Sequence, residues 1–204
     1  MNLHGNGARN SLKGTQNKMT QRRWEEFGPF TIFDVETTGM SPTRNRIVEI
    51  AAVRVERDGA LSRYQSLVNP GCIIPPSVIC VHHITNEMVA DAPTFTQVGY
   101  DFLDFARGSI LVAHNARFDL SFLQESLART GLPLWKGKTL DTLQLVRATF
   151  RNLPSYSLQN LRSTFHLEDT MDDMVAHRAG ADVEWTRLLL AHTLSELLRR
   201  EAMK

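Results

Sequence analysis

Apolar residues in this chain fall into short continuous runs, an alternating stretch and several segments with helical spacing, each closed by turn residues. The first run, Thr31 to Gly39 (TIFDVETTG), reads as a buried strand because Phe30, Ile32, Phe33 and Val35 are almost unbroken. Arg46 to Glu56 alternates as a second strand, Asp58-Gly59 signals a hairpin, and Tyr64 to Val68 reads as a third strand. Together they predict an antiparallel meander that ends at Asn69-Pro70-Gly71. Pro75-Pro76 reads as the start of an irregular connection, and Val81 to Glu87 (VHHITNE) as strand or loop. Thr94 to Arg107 has helical spacing through Phe95, Val98, Phe102 and Phe105. Ser109 to Ala113 is a further apolar strand. It leads through His114-Asn115-Ala116-Arg117-Phe118-Asp119 into a helix that Gly131-Leu132-Pro133 ends. A short strand is predicted over Lys138 to Leu140, with helices over Asp141 to Phe150 and Ser157 to Phe165. The last helix starts near His177 and runs to the C-terminus. Glu168 to Asp173 (EDTMDD) reads as a solvated acidic loop.

Within the first strand, Asp34 and Glu36 are two residues apart and share a face, their Cα atoms ~6–7 Å apart. Two acids at the end of a buried strand repel each other and lose solvation, which a cation between them relieves. Asp119 falls in the first turn of a helix after a buried strand, near the crevice where open α/β sheets bind ligands. His177 and Asp182 are five apart, which on one helix separates them by about 140°. They face one site only if His177 precedes the helix and Asp182 projects from an early turn.

Composition adds limits. The 204 residues suit one domain, and 42% hydrophobic content fills an ordinary core. With 22% charged residues and a net charge of +1, any nucleic-acid contact must come from a local patch. Cys72 and Cys80 are too few for a disulfide framework and read as reduced thiols of a cytoplasmic protein. No run is long enough to span a membrane, and no secretory signal is present. Residues 1–28 read as a flexible basic lead-in, carrying Arg9, Lys13, Lys18, Arg22 and Arg23, with Met19 an alternative start. The domain is expected over 29–204.

Four acids (Asp34, Glu36, Asp119 and Asp182) with His177 beside them would destabilise a fold unless they hold metal. All-oxygen ligation suits Mg²⁺ or Mn²⁺, and two ions ~4 Å apart can clamp both oxygens of a phosphoryl displacement. A histidine of ordinary pKa ~6.5 can take the proton of the attacking water.

The chain resembles the DnaQ-like exonucleases of the DEDDh class. The motifs FDVETTG (Phe33 to Gly39), HNARFD (His114 to Asp119) and HRAGAD (His177 to Asp182) occur in that family's order. The resemblance implies a ribonuclease-H-like α/β fold, a mixed five-stranded sheet with its first three strands antiparallel, flanked by helices. It implies hydrolysis from the 3′ end of single-stranded DNA or RNA, with DNA the leading expectation, and release of nucleoside 5′-monophosphates. An RNA-trimming enzyme resembling ribonuclease T, working as a homodimer, is the alternative; a catalytically silent binding module ranks below both.

By the same resemblance, Asp34, Glu36 and Asp182 would hold one of two metal ions. Asp34 would bridge to the second, which Asp119 helps hold, and His177 would be the general base. Thr37, Thr38, Gly39 and Met40 would meet the terminal nucleotide, their backbone N–H groups reaching its 3′-hydroxyl. His82 would lie near the terminal sugar or phosphate, with Asn115 and Phe118 shaping the pocket. The family's usual glycine after that first histidine is His83 here. Proofreading relatives bind a DNA polymerase through a further tail. The early end at Lys204 leads to the expectation of a free-standing exonuclease.

Overall fold

In the computed structural model, which describes residues 23–167 and 179–204, the apolar run becomes the central strand of one sheet. This strand, β1 (Phe30–Thr37), pairs antiparallel with β2 (Ile47–Val55), which pairs antiparallel with β3 (Leu61–Leu67). The chain then forms α1 (Pro76–His82), α2 (Asn86–Val89) and α3 (Phe95–Phe105). Strand β4 (Ile110–Ala113) returns parallel to β1 and leads into α4 (Arg117–Thr130). Strand β5 (Thr139–Asp141) lies parallel to β4, followed by α5 (Thr142–Thr149) and α6 (Leu158–Thr164). The final helix, α7, is described over Ala179–Ala202. The sheet order is β3-β2-β1-β4-β5, mixed and five-stranded, with its first three strands antiparallel as expected.

Both faces of the sheet are covered, which is why β1 reads as an unbroken apolar run. Phe33 and Val35 pack with Ile50, Ala52, Phe102, Phe122 and Leu123 on the α3–α4 side. Phe30 and Ile32 pack with Ala51, Val53, Ala179, Val183 and Leu190 on the α7 side. By strand alternation Asp34 and Glu36 continue this second face. Upstream, Trp24–Phe27 form one 3₁₀ turn, and Trp24 stacks on Phe30 at 5.8 Å. Among the described residues no helix is long and apolar enough to cross a membrane. Cys72 and Cys80 are free and exposed.

Three expectations need correction. Strand β3 begins at Leu61, three residues before Tyr64, and pairs Leu61 with Val55. Its early side chains are exposed, so no apolar alternation announces it, and backbone pairing alone extends the edge. Pro75-Pro76 does not open an irregular connection. Pro76 is the first residue of α1, a position where a missing N–H costs nothing. The Val81–Glu87 segment is therefore not a strand. His82 ends α1 buried, at 1% exposure, and His83 caps the helix in the left-handed region, φ 61°.

That backbone conformation gives a physical reason for a glycine at position 83, because a Cβ there is strained. His83→Gly should therefore hold or raise stability, by up to about 1 kcal/mol, and β-branched His83→Val should lower it by ~1–3 kcal/mol. Urea unfolding of the two variants beside the wild type measures both signs.

Candidate active site

Asp34 and Glu36 leave the C-terminal half of β1 on the face covered by α7, and Asp182 arrives from the first turn of that helix. One carboxylate oxygen from each of these three acids lies within 4.8 Å of the other two. All three residues are only partly buried. Asp119 comes from the first turn of α4 and is buried, and its Oδ1 accepts the backbone N–H of Val35 at 3.2 Å. That bond ties the fourth acid to the strand between Asp34 and Glu36.

The electrostatics record the crowding. Burial raises the Asp34 carboxyl well above the usual carboxylate range, and the charges of Asp119, Glu36, Asp182 and Glu49 raise it further. Burial pushes Asp119 up to about 8 despite the Val35 N–H, with Asp141 and Asp182 adding to the rise. Without a cation the group thus resists full ionisation near neutral pH. A hard divalent cation fits such a set of oxygen donors.

The neighbouring turns are built to hold this edge. The Thr37 hydroxyl donates to Gly39 O at 2.7 Å, and the Thr38 hydroxyl accepts from Arg46 N–H at 3.0 Å. The Thr38 N–H donates to Arg46 O at 2.8 Å, and the Gly39 N–H to the Thr37 hydroxyl at 3.4 Å. Asn45 accepts from Ser41 N–H at 3.0 Å and donates to Thr38 O at 3.3 Å. Its side chain fills the place of any Cβ at Gly39, which would meet it at 2.7 Å. Arg129 of α4 donates to Pro42 O and Thr43 O, fastening this loop to the helix. Met40 stands out of the loop at 81% exposure.

On the other flank Asn115 takes a left-handed conformation, φ 63°, and its N–H donates to Asp141 at 3.0 Å. The same Asp141 oxygen caps α5 through Leu143 N–H at 2.9 Å. Phe118 packs on Phe122 at 4.9 Å between ring centres. The Nδ1 of His82 accepts from Ile84 N–H at 3.0 Å, which fixes the ring at the end of α1. His177 and the acidic stretch Glu168 to Asp173 lie outside the described residues. Reading the sequence missed Glu49, Asn45, Arg129 and Asp141. An acid inside the apolar run IVEIAAV is the signal that would have marked Glu49.

Comparison with known proteins agrees with the three motifs. A family model described as exonuclease, RNase_T, matches residues 31–190. The chain belongs to this exonuclease family. DNA polymerase III subunit epsilon of Treponema pallidum is 39% identical over 169 residues, covering 80% of this chain and 77% of that protein. The 3′–5′ exonuclease DinG of Bacillus subtilis is 34% identical over 82% of this chain, which spans only 18% of DinG. Among solved structures, exonuclease X in complex with 5′ overhanging duplex DNA superimposes with TM-score 0.64 at 34% identity. That match covers 81% of this chain and 91% of exonuclease X. Exonuclease I, at 19% identity and TM-score 0.70, shares the ribonuclease-H-like fold. The protein is a DnaQ-like 3′–5′ exonuclease.

The raised acids give a stability signature. Between the ordinary 3.8 and about 8, folded Asp119 binds more protons than the unfolded chain. Asp34 is raised in the same direction. Metal-free protein should therefore lose stability as pH rises through that window. A saturating divalent cation should flatten the trend and release protons on binding. Thermal melts from pH 5 to 9 with EDTA or Mg²⁺ test this; a metal-free melting temperature that climbs with pH would contradict it.

Proposed function

We propose that this exonuclease removes nucleotides one at a time from the 3′ end of single-stranded DNA, releasing nucleoside 5′-monophosphates, with two Mg²⁺ or Mn²⁺ ions. The observation that carries the reading is the approach of Asp34, Glu36 and Asp182 within 4.8 Å in a chain of this family. Repulsion and desolvation make that arrangement costly in any protein that does not use it to bind a cation. The DNA-bound complex of exonuclease X, at 34% identity, supports DNA as the substrate.

Asp34, Glu36 and Asp182 would hold one ion, and Asp34 with Asp119 of α4 would hold the other. When bound, the ions polarise the scissile phosphate and stabilise its attacking and leaving oxygens. His177 takes the proton from the attacking water as general base. The Val35 N–H keeps the Asp119 carboxylate turned to the strand. Thr37, Thr38, Gly39 and Met40, the turn after β1, receive the terminal nucleotide, and the exposed Met40 side chain offers its base an apolar surface. His82, Asn115 and Phe118 complete the pocket.

The decisive assay follows 5′-labelled single-stranded DNA and RNA of matched sequence with Mg²⁺, Mn²⁺ or EDTA. The expected result is a ladder shortening from the 3′ end on DNA, abolished by EDTA and by Asp34→Ala. Faster trimming of RNA would replace the substrate reading, and near wild-type rates in Asp34→Ala would remove the assigned site. His177→Ala should lower kcat by roughly 10²–10⁴-fold with divalent-ion affinity unchanged. Lost metal binding in that variant would make His177 a ligand and not the base.

A further inference from the structure

Glu49 is the third residue of β2 and has no exposed surface. Register sets it opposite Glu36 across the β1–β2 pair, and opposed residues share a face. It therefore stands on the side of the sheet that carries Asp34 and Glu36 and that α7 covers. Both of its oxygens accept protein N–H groups. Oε1 accepts from Gln65 Nε2 at 2.9 Å, and Oε2 accepts from the backbone N–H of Ala179, the first described residue of α7, at 3.2 Å. Gln65 also lies against the next residue, since a Cβ on Gly180 would meet its Oε1 at 3.4 Å. First-turn amides lack intrahelical partners, and the positive end of a helix favours a carboxylate.

Ala179 is three residues before Asp182, so the two lie on adjoining parts of one turn. We propose that Glu49 is a positioning residue: it clamps the first turn of α7 to β2 so that Asp182 meets Asp34 and Glu36, and thereby sets the divalent-ion affinity of that group. The inference rests on the metal-site reading above. Glu49 is not itself in the group of carboxylates that converge within 4.8 Å. The next turn of α7 has its own anchor. The Arg63 side chain pairs with buried Glu184 at 2.8 Å, Arg187 pairs with the same acid at 2.7 Å, and Val183 and Leu190 pack in the core. Losing Glu49 should thus loosen the first turn while the helix stays docked.

The test measures Mn²⁺ binding by electron paramagnetic resonance at a temperature well below unfolding, on wild type, Glu49→Ala and Glu49→Gln. Glu49→Ala should bind Mn²⁺ about tenfold more weakly, at the low end of the range for groups that orient metal ligands. Glu49→Gln keeps an oxygen for Ala179 N–H, should lose only about threefold, and serves if the alanine variant does not fold. The Mn²⁺ concentration for half-maximal rate should rise in parallel, saturating Mn²⁺ should restore most of kcat, and KM for the oligonucleotide should hold. Wild-type Mn²⁺ affinity in the variants, with or without a lower Tm, overturns the positioning role alone. Wild-type protein that binds no Mn²⁺ overturns the metal-site reading beneath it.

Discussion

Mutual repulsion among acids at the end of β1 is the constraint on which the rest of the structure depends. Asp34, Glu36 and Asp182 approach within 4.8 Å, and Asp119 is bound to the peptide between the first two. Left alone, like charges at this spacing separate or take up protons. Burial first, and the neighbouring acids after it, hold the Asp34 and Asp119 carboxyls above the usual range, in the sense of the second response. The first is prevented because each acid is mounted on a rigid element: two on a central strand, one on the first turn of α4 and one on the first turn of α7.

Those mounts are held by polar bonds between parts of the chain far apart in sequence. Glu49 reaches 130 residues to the start of α7, Arg63 reaches 121 residues to Glu184, and Arg129 fastens the loop that follows β1. Glu49 and Glu184 are buried, where an unmade bond is expensive. The bonds therefore favour one arrangement over its near neighbours. Apolar burial on the two sheet faces supplies the bulk stability, and these links tie the elements that carry the carboxylates to one another.

Kinship and geometry give the same reading by separate routes. The family match spans residues 31–190, taking in every acid of the site, while the relatives range from a subunit of similar size to polymerases of which this chain spans only 12%. What these relatives share with this chain is the exonuclease unit.

Much was legible before any fold was known. Strand periodicity put Asp34 and Glu36 on one face. The unbroken apolar run made β1 central, and the first-turn places of Asp119 and Asp182 followed from where each helix begins. These are local properties, set by side-chain alternation and by which residues start helices. The extent of β3 was not legible, because an edge strand with exposed side chains is defined by its neighbour's backbone. Neither was α1, whose two prolines read as a break, nor the left-handed seat of His83 at its end. The sequence by itself determined which acids share a strand face and which stand in the first turn of a helix. Only the tertiary structure decided that Glu49 caps a helix from another part of the chain, that Arg46 occupies the Thr38 N–H, and that Val35 steadies Asp119. Those are pairings across long loops, and no local pattern records the partner of a hydrogen bond made through space.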